Sequence, residues 1–163
     1  MYTSESELYP AVVRWFEKYL KGKHPKAEIN AYDTSRQDLS EFLRRHRLHS
    51  FFTEFETYVI KVDITAVIKN KNQYDLAFVE CKLNPINLND ISQLLGYSKV
   101  VKPRYSFIIS PGGISAPVNT LIKIFKRYDI LEYQKGFKLK IAQWNKVGQE
   151  VDISTLLPPG EHF

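Results

Sequence analysis

Tyr58–Tyr97 reads YVIKVDITAVIKNKNQYDLAFVECKLNPINLNDISQLLGY and predicts a β-hairpin followed directly by a helix. Residues 58–69 are rich in Val, Ile, Thr and Tyr, and residues 74–81 are of the same kind, the composition of paired strands. Asn70-Lys71-Asn72-Gln73 supplies the turn. With Lys71 and Asn72 as its central residues, Asn70 faces Gln73, Asp63 faces Glu80 and Lys61 faces Lys82. Directly opposed residues share a face, so all four charges emerge on one side of the hairpin. Val62, Ile64, Ala66, Ala77, Val79 and Cys81 form the other face, the expected core.

Two carboxylates opposed on neighbouring strands have Cβ atoms roughly 5 Å apart and repel unless a positive charge sits between them. A hard divalent cation satisfies both. Mg²⁺ takes oxygen ligands, keeps several waters, and is typically held by one or two carboxylates plus substrate phosphate oxygens. Lys82, beside two carboxylates, should stay charged and reach a metal-bound water or a scissile phosphate. The plainer alternative is an edge pair screened by Lys61 and Lys82.

Asp63 followed, after a hairpin, by Glu80-Cys81-Lys82 resembles the D…(D/E)xK core of the PD-(D/E)XK nuclease superfamily, with Val62 rather than proline before the aspartate. Gln93-Leu94-Leu95-Gly96-Tyr97 is similar to the QxxxY element of its RecB-like branch. The resemblance spans roughly residues 58–113. It implies a restriction-endonuclease-like core and a phosphodiesterase dependent on Mg²⁺ or Mn²⁺. Asp63, Glu80 and the Cys81 carbonyl are then metal ligands, Lys82 the catalytic lysine, and Gln93 and Tyr97 aids in holding the lysine, water or substrate backbone. Some members add a glutamate from the first helix, which Glu7 would match. The Cys81 side chain is a small buried group with no chemistry of its own.

Ahead of the hairpin, Ser4–Lys21 has helical period in Leu8, Val12, Trp15, Phe16, Tyr19 and Leu20, with Pro10 early and Gly22 as its end. Ser4 and Glu7 form a capping box, which by itself accounts for Glu7. Residues 27–33 suit a short strand. Ser35 is expected to cap a helix burying Leu39, Phe42 and Leu43, whose end carries Arg44, Arg45, His46, Arg47 and His49. Cations at a helix C-terminus are favoured by the dipole, yet Arg44, Arg45 and Arg47 exceed what capping needs and suit phosphates.

Beyond the hairpin, Asn84-Pro85 breaks the strand, and Asn87 with Asp90 starts a helix over Leu88–Val101. Tyr97 and Lys99 on it join the arginines as nucleic-acid contacts. Gly96, costly in a helix, suggests close approach of another backbone. Tyr105–Ser110 is an apolar strand reached through a crossover, hence parallel to the ExK strand. Pro111-Gly112-Gly113 is a turn and not a phosphate loop, since no GKS or GKT follows. A helix is expected over Ser115–Tyr128, then a closing hairpin of Ile130–Tyr133 and Phe137–Trp144 through Gly136. The tail after Leu157 is expected to be loose.

The 163 residues, 44% of them hydrophobic, suit one α/β domain with a mixed β-sheet flanked by helices. Its nuclease-like core covers about 58–128 and a C-terminal hairpin and tail 129–163. A single cysteine excludes an internal disulfide and a cysteine-based zinc cluster. Without a leader or an apolar run near 18 residues, a cytoplasmic protein with no membrane segment is expected. The net charge of +5 suits a polyanion. The leading expectation is a metal-dependent deoxyribonuclease, an endonuclease acting on DNA, branched or single-stranded forms included; a homodimer is compatible with it. The alternatives are a catalytically silent nucleic-acid-binding relative and a protein-interaction subunit of a nucleic-acid-processing complex.

Overall fold

The structure, a computed structural model, describes residues 2–160. In chain order the elements are α1 (Tyr9–Lys23), β1 (Glu28–Asp33), α2 (Leu39–Arg45), β2 (Ile64–Asn70), β3 (Gln73–Cys81), α3 (Leu88–Val101) and β4 (Tyr105–Ser110). There follow α4 (Ala116–Asn119), which widens into a π-helical turn over Thr120–Ile124, then β5 (Glu132–Gln134), β6 (Phe137–Lys138), β7 (Lys140–Asn145) and β8 (Glu150–Leu157). Six strands form one mixed sheet in the order β1-β2-β3-β4-β7-β8, parallel at β3/β4 and β4/β7 and antiparallel elsewhere. Among the described residues no helix is long and apolar enough to cross a membrane.

Both faces of the sheet are covered, and strand alternation decides which side chain goes where. Ile64, Ala66 and Ile68 with Ala77, Val79 and Cys81 pack against Leu8, Val12, Phe16 and Leu20 on the α1 side. Val67, Leu76 and Phe78 turn the other way, onto Leu39, Phe42 and Leu43 of α2 and Ile91, Leu94 and Val101 of α3. β4 feeds both layers, Phe107 and Ile109 to the first and Ile108 to the second.

The hairpin register is the expected one, Ile64 facing Val79 through to Asn70 facing Gln73, but β2 begins at Ile64 rather than Tyr58. Residues 58–63 use their carbonyls elsewhere. Ile60 and Tyr58 accept from the N–H groups of Leu39 and Ser40 (2.8 and 3.1 Å), and Val62 and Asp63 accept from the Thr34 hydroxyl and N–H (2.6 and 2.9 Å). Four orphan donors open every helix, and in α2 strand-like carbonyls satisfy two of them where no side chain does. Ser35 is therefore not the cap: its N–H and hydroxyl turn back to Asp33 Oδ1, and α2 starts after Asp38. Lys61, expected beside Lys82, is exposed in this irregular stretch.

α1 starts later than the capping box predicts, because Pro10 belongs to its first turn and Glu5–Glu7 is a separate 3₁₀ turn. Ser4 makes no side-chain cap. The helix also continues through Gly22 and ends at His24, just before Pro25. Asn87 and Asp90, in contrast, form the expected reciprocal capping box on α3. The expected closing hairpin divides. β5 and β6 pair as a small separate ribbon, while β7 leaves it to join β4 and is continued by β8, a strand not anticipated. Of the tail expected to be loose, Pro158–Gly160 is a turn, and Glu161, His162 and Phe163 lie outside the described residues.

The two glycines with clear expectations part company. A Cβ on Gly112 would stand 2.9 Å from the backbone nitrogen of Pro85, whereas a Cβ on Gly96 would meet nothing within 4 Å beyond its own helix, contrary to the close approach expected there. Gly112→Ala should lower stability by about 1–3 kcal/mol through overpacking. Gly96→Ala should raise it by up to about 1 kcal/mol through helix propensity. Denaturant melts of the two variants check both signs.

Candidate active site

One further step along the β2/β3 register sets Asp63 opposite Glu80 at the end of the sheet where β3 and β4 finish. Asp63 is only 9% exposed and turns its side chain across to the neighbouring strand. Its Oδ2 accepts from the backbone N–H of Cys81 (2.9 Å), and its Oδ1 accepts from the hydroxyl of Tyr9 at the start of α1 (2.7 Å). The carboxylate thus closes the ladder where β2 has already left it. Burial and the same carboxylate push the Tyr9 hydroxyl far above its ordinary range.

Glu80 is less completely supported. Its Oε1 lies 3.9 Å from Lys82 Nζ, and its Oε2 is buried with no hydrogen-bond partner. Burial, then the charge of Asp63 and a hydrogen bond shared with the Asp63 side chain, push its pKa up to about 9, against which Lys82 and the Asp63 backbone N–H pull. Lys82 also lies 3.7 Å from Asp90 Oδ1. Burial lowers its pKa, but Glu80, Glu5, Asp90 and Asp63 together outweigh that and hold it above its ordinary value. A lysine in this setting remains cationic at neutral pH.

Two acids of this cluster escaped the sequence reading. Asp90 was assigned only to capping, and it does cap α3, but its other oxygen reaches Lys82. Glu5 is the carboxylate of the N-terminal segment that faces the site: burial raises its pKa, Lys82 lowers it, and Asp63 and Asp90 raise it. Glu7, the residue singled out from that segment, is exposed and takes hydrogen bonds from the hydroxyl and N–H of Thr3, which hold it below the usual carboxylate range. Pro10 was the available signal. Proline in a first helical turn places residues 5–7 before the helix and not on its face.

The remaining predicted residues lie farther out. Gln93 donates to Tyr97 Oη (3.0 Å) on the outer side of α3, one and two turns beyond Asp90. Lys99 is exposed near the far end of the same helix. α2 packs through His46 against Tyr32 of β1, and Arg44, Arg45 and Arg47 lie in its last turn and just past it, with no hydrogen bond or ion pair to the carboxylates among the described residues. Arg44 there meets Glu56 (3.9 Å) and lies over the Phe55 ring (5.2 Å). Arg47 adopts a left-handed conformation (φ 58°) just past the helix. The Cys81 thiol is fully buried, and burial pushes its pKa up, so only its backbone is at the site.

Among the described residues no group of three His, Cys, Asp or Glu side chains is arranged to hold a metal unaided. An ion here would need carbonyl and water oxygens besides Asp63 and Glu80, which is the manner of Mg²⁺. The partnerless buried Oε2 of Glu80 fits such a ligand. The chain matches no family model, no curated protein and no solved structure.

The Glu80 shift has a sign that can be measured without any ligand. An acid whose pKa rises from 4.5 to about 9 on folding confers stability that is fully present below 4.5 and lost as pH climbs toward 9. With EDTA present, the melting temperature should fall across that window. Glu80→Gln should flatten the fall, leaving the smaller contribution of Glu5; an undiminished slope in the variant would show that Glu80 is not the titrating group.

Proposed function

We propose that the protein is a divalent-metal-dependent nuclease acting on DNA, with a centre like that of the PD-(D/E)XK superfamily. The observation that supports this reading best is the pair of opposed carboxyl groups at one end of the sheet, one of them with a buried oxygen lacking any donor, next to a lysine held cationic. A buried acceptor without a partner is costly, and it persists where function employs it.

Asp63, Glu80 and the Cys81 carbonyl would hold the ion. When bound, Mg²⁺ or Mn²⁺ lowers the pKa of water and polarises a phosphoryl oxygen. The protein supplies the positions. Tyr9 and the Cys81 N–H fix the plane of Asp63, so that its remaining lone pairs face a set direction. Lys82, anchored between Glu80 and Asp90, offers positive charge to the phosphate as water attacks phosphorus and the ester oxygen leaves opposite. Its backbone is fixed as well, its N–H donating to the Ile109 carbonyl (2.9 Å). A catalytically silent nucleic-acid binder is the second reading, and the double engagement of Asp63 with protein donors favours it.

Supercoiled plasmid with Mg²⁺ separates the two. Asp63→Ala and Glu80→Ala should abolish cleavage while preserving DNA binding. Lys82→Ala should lower cleavage roughly 10²–10³-fold, the usual loss for one preorganised donor, yet keep the Mg²⁺-induced rise in melting temperature. Loss of that rise would make Lys82 part of the ion's binding rather than of charge stabilisation. Absence of cleavage by the unaltered protein with Mg²⁺ or Mn²⁺ would leave the silent reading standing.

A further inference from the structure

The end of the sheet opposite the carboxylates carries a second built feature. The β5–β6 ribbon folds over the loop between α3 and β4, locked there by the Tyr133 hydroxyl donating to the buried Pro103 carbonyl (2.7 Å). Arg104 N–H donates to Leu76 O (2.8 Å), fixing that loop to β3. Between them lie two adjoining cavities of about 370 and 240 Å³ that share Arg104 and Phe137. The first is completed on its charged side by Lys102 and Asp75, the second by Lys138 and Lys140.

The groove is cationic, with Lys102, Arg104, Lys138 and Lys140 set against Asp75, which lies 3.6 Å from Arg104. Lys140 also rests over the Tyr105 ring, whose hydroxyl is bonded to His24 Nε2 (2.8 Å), so that wall is braced. Gly136, at φ +83°, turns the ribbon so that Phe137 follows at once, 37% exposed between the two cavities. Cations on both sides of an accessible aromatic ring in a concave groove are the arrangement that holds phosphates while stacking one base. A base still paired in a duplex cannot reach a ring so placed.

We propose that this groove binds single-stranded nucleic acid, with phosphates on Lys102, Arg104 and Lys138 and an unpaired base on Phe137. The inference stands apart from the catalytic reading. If both hold, the groove and the carboxylates stand at opposite ends of β4, roughly 20 Å apart at about 3.3 Å per residue, and the groove selects substrates that have an unpaired segment.

A fluorescein-labelled oligothymidylate of about 12 nucleotides tests it by anisotropy in EDTA, at several salt concentrations, with a duplex as competitor. Phe137→Ala should weaken binding roughly tenfold and leave the salt slope alone. Lys102→Gln with Lys138→Gln should flatten the slope by about 0.7 for each lost contact. Glu80→Ala should bind as the unaltered protein does, so a failure of the groove and a failure of the catalytic reading show in different variants. The substituted groove residues are at the surface, and unchanged melting temperatures confirm intact folding. Affinity and slope unmoved in both groove variants, or competition by duplex as strong as by single strand, would overturn the proposal.

Discussion

Two carboxyl groups opposed across neighbouring strands in a largely buried setting need compensation, and much of the sheet's end is arranged to give it. Asp63 is served by a hydroxyl from α1 and an N–H from β3. Glu80 receives the partial charge relief of Lys82, itself shared with Asp90, and that of the Asp63 backbone N–H. The positive end of the α3 dipole lies near Lys82 and Asp90, and a helix N-terminus favours negative charge. The compensation is unequal, and the remainder falls on one oxygen of Glu80. A purely structural ion pair would more naturally be completed, since a buried half-satisfied network costs more than an apolar replacement.

Strand polarity then separates two kinds of surface. β3, β4 and β7 run parallel, so their C-terminal ends gather the acids and their N-terminal ends lie beside the basic loop and ribbon. Ligands of open α/β sheets characteristically sit outside the carboxyl ends of the strands, which agrees with the acidic end as the proposed centre. The modest net charge conceals this. A protein of +5 is not strongly basic, but its cations are unevenly placed, and local potential matters for a polyanion more than the sum.

What was legible in the sequence was what local periodicity and turn chemistry control. The β2/β3 register followed from a four-residue turn, the start of α3 from Asn87 and Asp90, and the parallel placement of β4 from the crossover before it. The misreadings share a different cause. Residues 58–63 look like strand, but tertiary hydrogen bonds to α2 and Thr34 take their carbonyls. Ser4, Glu7 and Ser35 look like capping residues, but local hydrogen bonds or a later helix start employ them otherwise. Glu5 and Asp90 joined the site through space, which no spacing within one element reveals. β8 alternates only weakly and is distorted by an irregular register against β7, so no period marked it.

The placement of Lys82 depends on a loop that carries no charge. After β3 the chain would be free to swing, and a lysine on a moving segment could not be shared between two carboxylates at fixed distances. The segment is instead clamped against the turn after β4. Ile86 N–H donates to the Gly113 carbonyl and Ser115 N–H to the Ile86 carbonyl, both at 2.9 Å, while the Ser110 hydroxyl donates to the Asn84 carbonyl (2.7 Å). Gly112 permits this by lacking a side chain where the backbone of Pro85 passes, and Gly113 by its φ of +71°. The glycines of this turn therefore act on the site indirectly. They let two backbones meet closely enough that the strand end bearing Glu80 and Lys82 is held from both sides, which is the preorganisation that charge stabilisation requires.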